Sequence, residues 1–291
     1  MKRYSVLNTM IISSAAPAGT VPAYSMKKIS GATVSAETAS GVFSKAKTQN
    51  VKVEGYSIGE TAVKYELWYA VRQLAEASMD YKFFNKGREG SKGKDGAEPT
   101  ANKDHPVTYI SWRDAMIWCN AYSEATGKTP VYYEDAGFAK VLKTSQGQDA
   151  AAGEGIADKA FVKADADGFR LPTETEWEFA ARGGNALLNN AAWMNKYAGT
   201  NDEKQLADIA WYMPNSGQAT HPVGEKQANG AGLKDINGNV WEWCFNVYEN
   251  NRRAYRGGSW KTNASDSTVS YRNSSTPYMR SDDLGIRIVS R

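Results

Sequence analysis

Hydrophobic periodicity divides this chain of 291 residues at Gly184: helical spacing precedes it and none follows, which restricts the possible folds more than any single residue does. Between Thr61 and Met79, the apolar residues Val63, Leu67, Val71, Leu74 and Met79 recur mostly at intervals of three or four, the spacing that lines one face of a helix. A second helix is predicted from Ser111, where Asp114 stands three residues on in the manner of a capping box. Ala115, Trp118, Cys119 and Tyr122 form its buried stripe, and Gly127 ends it. A third, shorter helix follows Leu171-Pro172: Thr173 and Glu176 repeat the capping spacing, Trp177, Ala180 and Ala181 face inward, and Gly183-Gly184 stops it. Beyond that point Val240 to Phe245, Ala254 to Trp260, Thr268 to Tyr271 and Gly285 to Val289 read as short strands separated by Asn, Gly, Ser and Pro. The pattern is α+β, and without an internal repeat it argues against a propeller or solenoid.

The remaining segments are polar. Lys86 to Asp104 and Lys143 to Asp158 have little that can pack and read as surface insertions. Ser30 to Ser44 is rich in Gly, Ser, Ala and Thr and reads as an exposed connection or irregular strands. Met1-Lys2-Arg3 has the basic opening of a secretory signal, but Asn8, Thr9, Ser13 and Ser14 interrupt the apolar stretch, so Tyr4 to Ile12 is expected to be an ordered strand. Residues 1–50 are thus expected to be a strand or extension packed on a domain that occupies 51–291. No stretch approaches the roughly 18 apolar residues that a membrane helix needs, which places any native anchor outside this sequence. Hydrophobic residues make up 41% and charged residues 23%, enough to bury a substantial core. The 35 basic and 32 acidic residues are scattered, with no basic run to follow a phosphate backbone, so nucleic acid is not expected as a partner. Cys119 and Cys244 are too few for a disulfide framework and lack zinc spacing; buried free thiols or one bridge both fit.

Five segments, in order, resemble the formylglycine-generating-enzyme (sulfatase-modifying-factor) family. They are Glu66-Leu67-Trp68; His105-Pro106-Val107 running into Ser111-Trp112-Arg113-Asp114-Ala115; Gly168 to Glu178; Gly232 to Trp243; and Arg256-Gly257-Gly258-Ser259-Trp260 continuing to Leu284-Gly285-Ile286-Arg287. Together they cover most of Val51 to the C-terminus. The resemblance implies a C-type-lectin-like fold, with two main helices packed on small antiparallel sheets and much irregular loop. Trp177, Trp241, Trp243 and Trp260 are read as core fillers, since aromatic side chains bury large areas. His105 and His221 each precede Pro and are read as turn residues; two histidines cannot make the three-histidine iron site of the family's sulfoxide-synthase branch. Asp165-Ala166-Asp167-Gly168 only hints at an EF-hand, lacks the closing Glu, and is read as a loop.

In the family's enzymes two cysteines shortly after the Gly-Gly-Ser motif carry the oxygen-dependent chemistry with copper, and alignment on Gly257 to Trp260 puts those positions at Thr262 and Ser267. A hydroxyl cannot supply the thiolate that metal ligation or exchange requires near neutral pH, so no formylglycine generation, no copper and no iron are expected. The family also binds calcium, and residue by residue its ligands fall on the side chains of Asp235 and Glu242 and the carbonyls of Gly238 and Val240; hard oxygen donors suit that ion.

Between Trp260 and Leu284 the composition turns to Ser, Thr, Asn, Asp and Tyr with almost no aliphatic content, while both flanks belong to structural motifs. A Tyr, Ser and Asn mixture on a rigid scaffold resembles antibody paratopes, and the combination is similar to the variable proteins of diversity-generating retroelements. That resemblance implies a diversified ligand-binding region at 261–283, with contacts from Lys261, Thr262, Asn263, Asp266, Ser267, Tyr271, Asn273, Ser274, Ser275, Thr276, Tyr278, Met279, Ser281, Asp282 and Asp283. Arg272 and Pro277 are read as structural. It further implies a cell-surface or extracellular setting, an anchor in the native precursor, and a monomer whose ligand is more protein-like than small. The alternative is a family enzyme with altered chemistry.

Overall fold

The computed structural model describes residues 21–40, 43, 49–145 and 155–291. The expected strand Tyr4 to Ile12 and the interior of the second polar stretch lie outside those residues.

Three helices organise the first half. Helix α1 spans Tyr65–Ser78, α2 Trp112–Ala125 and α3 Glu174–Ala181. Both capping boxes form: Ser111 and Asp114 exchange side-chain and backbone bonds at the start of α2, as do Thr173 and Glu176 at α3. Each box satisfies helix-terminal N–H groups that otherwise lack partners. Helix α1 begins four residues later than its apolar period suggests. Val63 is buried but extended, its N–H bonded to Ile286 and its carbonyl to Val107. The α1 stripe is Leu67, Trp68, Val71 and Ala75, with Leu74 and Met79 only half-buried. Trp68 stacks on Trp118 of α2 at 5.4 Å and 8°, which locks the two helices together.

Two four-stranded sheets carry the rest. In the first, β1 (Met26–Ile29), β2 (Tyr56–Gly59), β8 (Val289–Ser290) and β3 (Phe169–Arg170) lie side by side, all antiparallel. In the second the order is β6 (Arg272–Ser275), β5 (Arg253–Arg256), β4 (Trp241–Val247) and β7 (Leu284–Gly285), with β4 and β7 parallel. The chain from β5 to β7 therefore leaves the second sheet, adds its edge strand, and returns on the opposite edge. The expected strand at Thr268 to Tyr271 is displaced to Arg272–Ser275, because Thr268 and Val269 are buried in a loop instead of paired in a ladder. Trp177, Trp243, Trp241 and Trp260 are all buried, as expected of core fillers. Cys119 and Cys244 are free, buried, and sit in different core clusters, which removes the single-bridge alternative.

The polar stretches are less superficial than their composition suggests. Arg88–Glu89 pairs with Val107–Thr108, and Gly90 is buried. At the far end of the second stretch Asp158 forms a buried ion pair with Arg113 at 2.6 Å.

Candidate binding surface

The C-terminal segment leaves β5 through Gly257 and Gly258, both left-handed with φ of 98° and 78°. A Cβ on Gly258 would stand 2.7 Å from the Ser267 oxygen, so only glycine fits this turn. From there groups outside the segment, or at its two ends, hold its backbone. Ser259 Oγ donates to Asp283 (2.8 Å) and Trp260 Nε1 to the Asp282 carbonyl (3.2 Å), which ties start to finish. Asn237 donates to the carbonyl of Ser267 (2.6 Å), and the amides of Arg113 and Tyr109 donate to the carbonyls of Pro277 (3.4 Å) and Ser281 (2.9 Å).

Two arginines fix the middle. Arg256 Nη1 donates to the carbonyls of Ser270 and Tyr271, and Arg272 makes a bidentate pair with Glu174 at 2.7 and 2.5 Å. Arg256 also pairs with Glu178, which in turn holds Arg182 at 2.8 Å. The result is a largely buried relay of alternating charges running from α3 into the segment. Bidentate guanidinium–carboxylate pairs fix orientation as well as distance.

On this frame Lys261, Asn263 and Asn273 are exposed, and Asp266, Tyr271, Ser275, Thr276, Tyr278, Met279, Ser281, Asp282 and Asp283 are half-buried. Tyr271 leans on Trp241 at 5.9 Å, Tyr278 on the Arg113 guanidinium at 5.7 Å, and Met279 on the core. Lys261 pairs with Asp282. Three expected contact residues do not face outward. Ser267 and Ser274 are buried. Ser274 alternates inward between Asn273 and Ser275 on the edge strand β6, where its oxygen accepts from Arg252 Nε at 3.0 Å. Thr262 is half-buried and turned inward, its oxygen accepting from the Ser259 amide and donating to the Ser259 carbonyl, both at 2.9 Å. Conversely Ser265, Ser270 and Arg280 are exposed in the same stretch, and Met213, whose amide donates to the Thr262 carbonyl at 3.0 Å, is exposed beside it. The polar composition of 261–283 already covered the two serines; nothing in the sequence pointed to Met213.

The oxygens of Thr262 and Ser267 are 3.0 Å apart, so the two positions aligned with the enzymes' cysteines meet side by side. Both thiols of the chain lie elsewhere, and burial pushes each well above the usual thiol range.

Of the residues expected to hold calcium, Asp235 is buried in a left-handed conformation (φ 54°) and accepts from the Gly224 amide at 2.6 Å through Oδ2. Its Oδ1 has no hydrogen-bond partner among the described residues, and burial pushes its carboxyl up to about 6. An orphaned buried carboxylate oxygen fits a hard cation. Glu242 is differently placed. Arg287 approaches both of its oxygens at 3.0 Å and Trp177 Nε1 donates to one at 2.6 Å, so as arranged it serves a guanidinium instead of an ion. Gly238 lies in the short pair Ala210–Trp211 with Asn237–Gly238, and Val240 is buried next to it. His105 contacts Thr220 (3.0 Å) and His221 the Ser216 carbonyl (2.8 Å), in keeping with turn positions.

Comparison with known proteins agrees with this architecture. The chain is 28% identical to the chaperone protein LppX of Paenibacillus barcinonensis over 264 residues, spanning 83% of this chain and 82% of that one. It is 35% identical to the inactive C-alpha-formylglycine-generating enzyme 2 of Bos taurus over 147 residues, 42% of this chain and 44% of the relative. Among solved structures, CarF superposes with a TM-score of 0.74 at 30% identity, covering 92% of this chain and 98% of CarF. Treponema denticola variable protein 1 superposes with 0.66 at 30%, covering 92% and 95%. The sulfatase-modifying factor enzyme 1-like domain matches residues 15–291, and the chain belongs to that family, with the fold of its C-type-lectin-like members.

Proposed function

We propose that this protein binds a ligand through the outward side chains of 261–283 and does not transform it. The observation that carries the reading is the division of labour in the segment: its backbone is tied to the frame by Arg256, Arg272, Asn237 and Ser259, while Lys261, Asn263, Ser265, Asn273 and Arg280 project from it. Such an arrangement lets contact residues change without unfolding what holds them. Thr262 and Ser267 at the enzymes' cysteine positions support a non-catalytic role, as does the similarity to a relative named inactive and to a variable protein. Tyr271 and Tyr278 favour a protein ligand. A surface or extracellular setting with a lipid anchor in the precursor belongs to the same reading; no described helix is long and apolar enough to cross a membrane.

Two experiments test it. Sequencing the locus in sister isolates is expected to find substitutions clustered at the outward positions of 261–283, next to a template copy and a reverse transcriptase gene; scattered substitutions would remove the diversification claim. Incubation with a cysteine-containing sulfatase peptide, with and without copper, is expected to leave the peptide unchanged; a formylglycine product would replace this reading with an enzymatic one.

A structural calcium ion held through Asp235 and the carbonyls of Gly238 and Val240 is part of the proposal, with Glu242 joining it only by giving up contacts to Arg287 and Trp177. Millimolar calcium is expected to raise the melting temperature of the wild type and not that of Asp235→Asn. Equal behaviour of the two proteins in calcium and in EDTA would rule the ion out.

A further inference from the structure

A pocket of about 290 Å³, with no lining residue from 261–283, opens beside the antiparallel pair of Tyr132–Tyr133 and Phe161–Val162. The register places Tyr132 opposite Val162, so both side chains share one face. Leu171 and Phe245 complete the apolar wall, the Phe245 ring lying 5.7 Å from that of Tyr132 at 15°. The polar groups inside satisfy one another. Arg170 donates to both oxygens of Glu176 (2.8 and 2.6 Å), Thr173 closes on the same carboxylate at 2.9 Å, and the Tyr132 oxygen accepts from the Leu171 amide at 2.9 Å. A guest therefore meets apolar surface and no unmatched polar atom.

The mouth is different. Lys163 and Arg291 both line it. Lys163 is taken up by Asp165 at 2.6 Å, whereas Arg291 is exposed and makes no ion pair among the described residues. Arg170 is paired with Glu176 and Lys163 with Asp165, so Arg291, which also feels the Asp165 carboxylate, is the one cation of the lining without an ion pair among the described residues, and it is the group that favours an anion.

We propose that this pocket binds an apolar monocarboxylate, its hydrocarbon part against Val162 and Phe245 over a buried floor of Tyr132 and Leu171 and its carboxylate on Arg291. The volume lies at the small end of ligand sites, which suits a medium-chain or single-ring acid better than a two-chain lipid. The guest is neither the ligand of the C-terminal segment nor a substrate, so the proposal stands or falls independently of that surface.

Calorimetric titration of the full chain with decanoate, decanol and decyltrimethylammonium, each below its micellar concentration, tests it. Decanoate is expected to bind about tenfold more tightly than decanol, the scale of one charge-assisted hydrogen bond, and the ammonium compound not to bind. Arg291→Gln, a surface change that leaves folding intact, is expected to reduce decanoate to the level of decanol. Ala164→Trp, at an exposed lining position, is expected to block both decanoate and decanol without lowering the melting temperature. No decanoate binding, equal affinity for decanoate and decanol, or decanoate affinity unchanged in Arg291→Gln would each overturn the assignment, whatever Ala164→Trp does.

Discussion

At the scale of single residues, the oxygens of Thr262 and Ser267, the positions that the motif alignment sets against the enzymes' cysteines, meet at 3.0 Å in a turn closed by Gly258. A hydroxyl stays protonated near neutral pH where a suitably placed thiol does not, and the proposed non-catalytic reading rests on that difference. If the alignment is right, the variant Thr262→Cys with Ser267→Cys is expected to form one disulfide on mild oxidation. Thiol titration under denaturing conditions would then find only the two native cysteines, against four if the introduced thiols do not meet. The motif Gly257 to Trp260 is what singled out both positions in the sequence, and their side chains touch. Their direction was not legible: a polar side chain is ordinarily read as exposed, yet Ser267 is buried and donates to the Asn263 carbonyl, and Ser274 points inward from its strand and accepts from Arg252 Nε. Glu242 shows the same limit. Its partner Arg287 lies 45 residues away and belongs to a different motif, so spacing alone could suggest an ion and not a guanidinium.

Among the elements, α3 does more for the C-terminal segment than its eight residues suggest. Glu174 and Glu178 on its inner face hold Arg272 and Arg256, and Arg256 holds the carbonyls of Ser270 and Tyr271. Removing one partner of a buried pair leaves an uncompensated charge, so Arg256→Ala is expected to lower stability by about 3–5 kcal/mol. The accompanying signature is faster amide exchange at 270–275, the strand register that Arg256 supports. Protection unchanged there would place the anchoring elsewhere. Glu176 at the start of α3 gives a pH prediction. Burial pushes its carboxyl up, but Arg170 and the capping bonds of Thr173 outweigh this and hold it below the usual range. Its contribution is therefore present above the unfolded carboxyl value, roughly pH 4.3, and is lost as pH falls through the lower folded value. In Arg170→Met only the capping bonds of Thr173 would still oppose the desolvation, so the carboxyl would rise relative to the wild type and the loss of stability on acidification would shrink. Denaturant unfolding of both proteins from about pH 6 down to pH 3 checks it, with parallel curves contradicting the account. Capping boxes and stripes made all three helices legible. The two-residue strands were not, because their existence depends on partners such as β3 on β8 that lie far away in sequence.

For the molecule as a whole, the account separates a frame from what it displays. The frame includes material that composition marked as peripheral: β1 joins the first sheet through β2, the stretch after Lys86 supplies a strand and the buried Gly90, and Asp158 closes on Arg113. Short strands, large aromatic plugs and buried charge pairs take the place of long regular elements, which is why periodicity gave the helices and motif order gave the fold. The proposed display is the run from Lys261 to Asp283, which leaves the inner strand β5, contributes the edge strand β6 and returns to β7 on the opposite edge of the same sheet. The most direct test is a stability-sorted library of the full chain. With Lys261, Asn263, Ser265 and Asn273 randomised together, most members are expected to fold and melt close to the wild type, since surface changes away from special features usually shift stability by no more than about 0.5 kcal/mol. A matched library at Gly258, Ser267 and Ser274 is expected to be largely unfolded. Broad failure of the first library, or free tolerance in the second, would contradict the claim that a fixed frame presents an exchangeable surface.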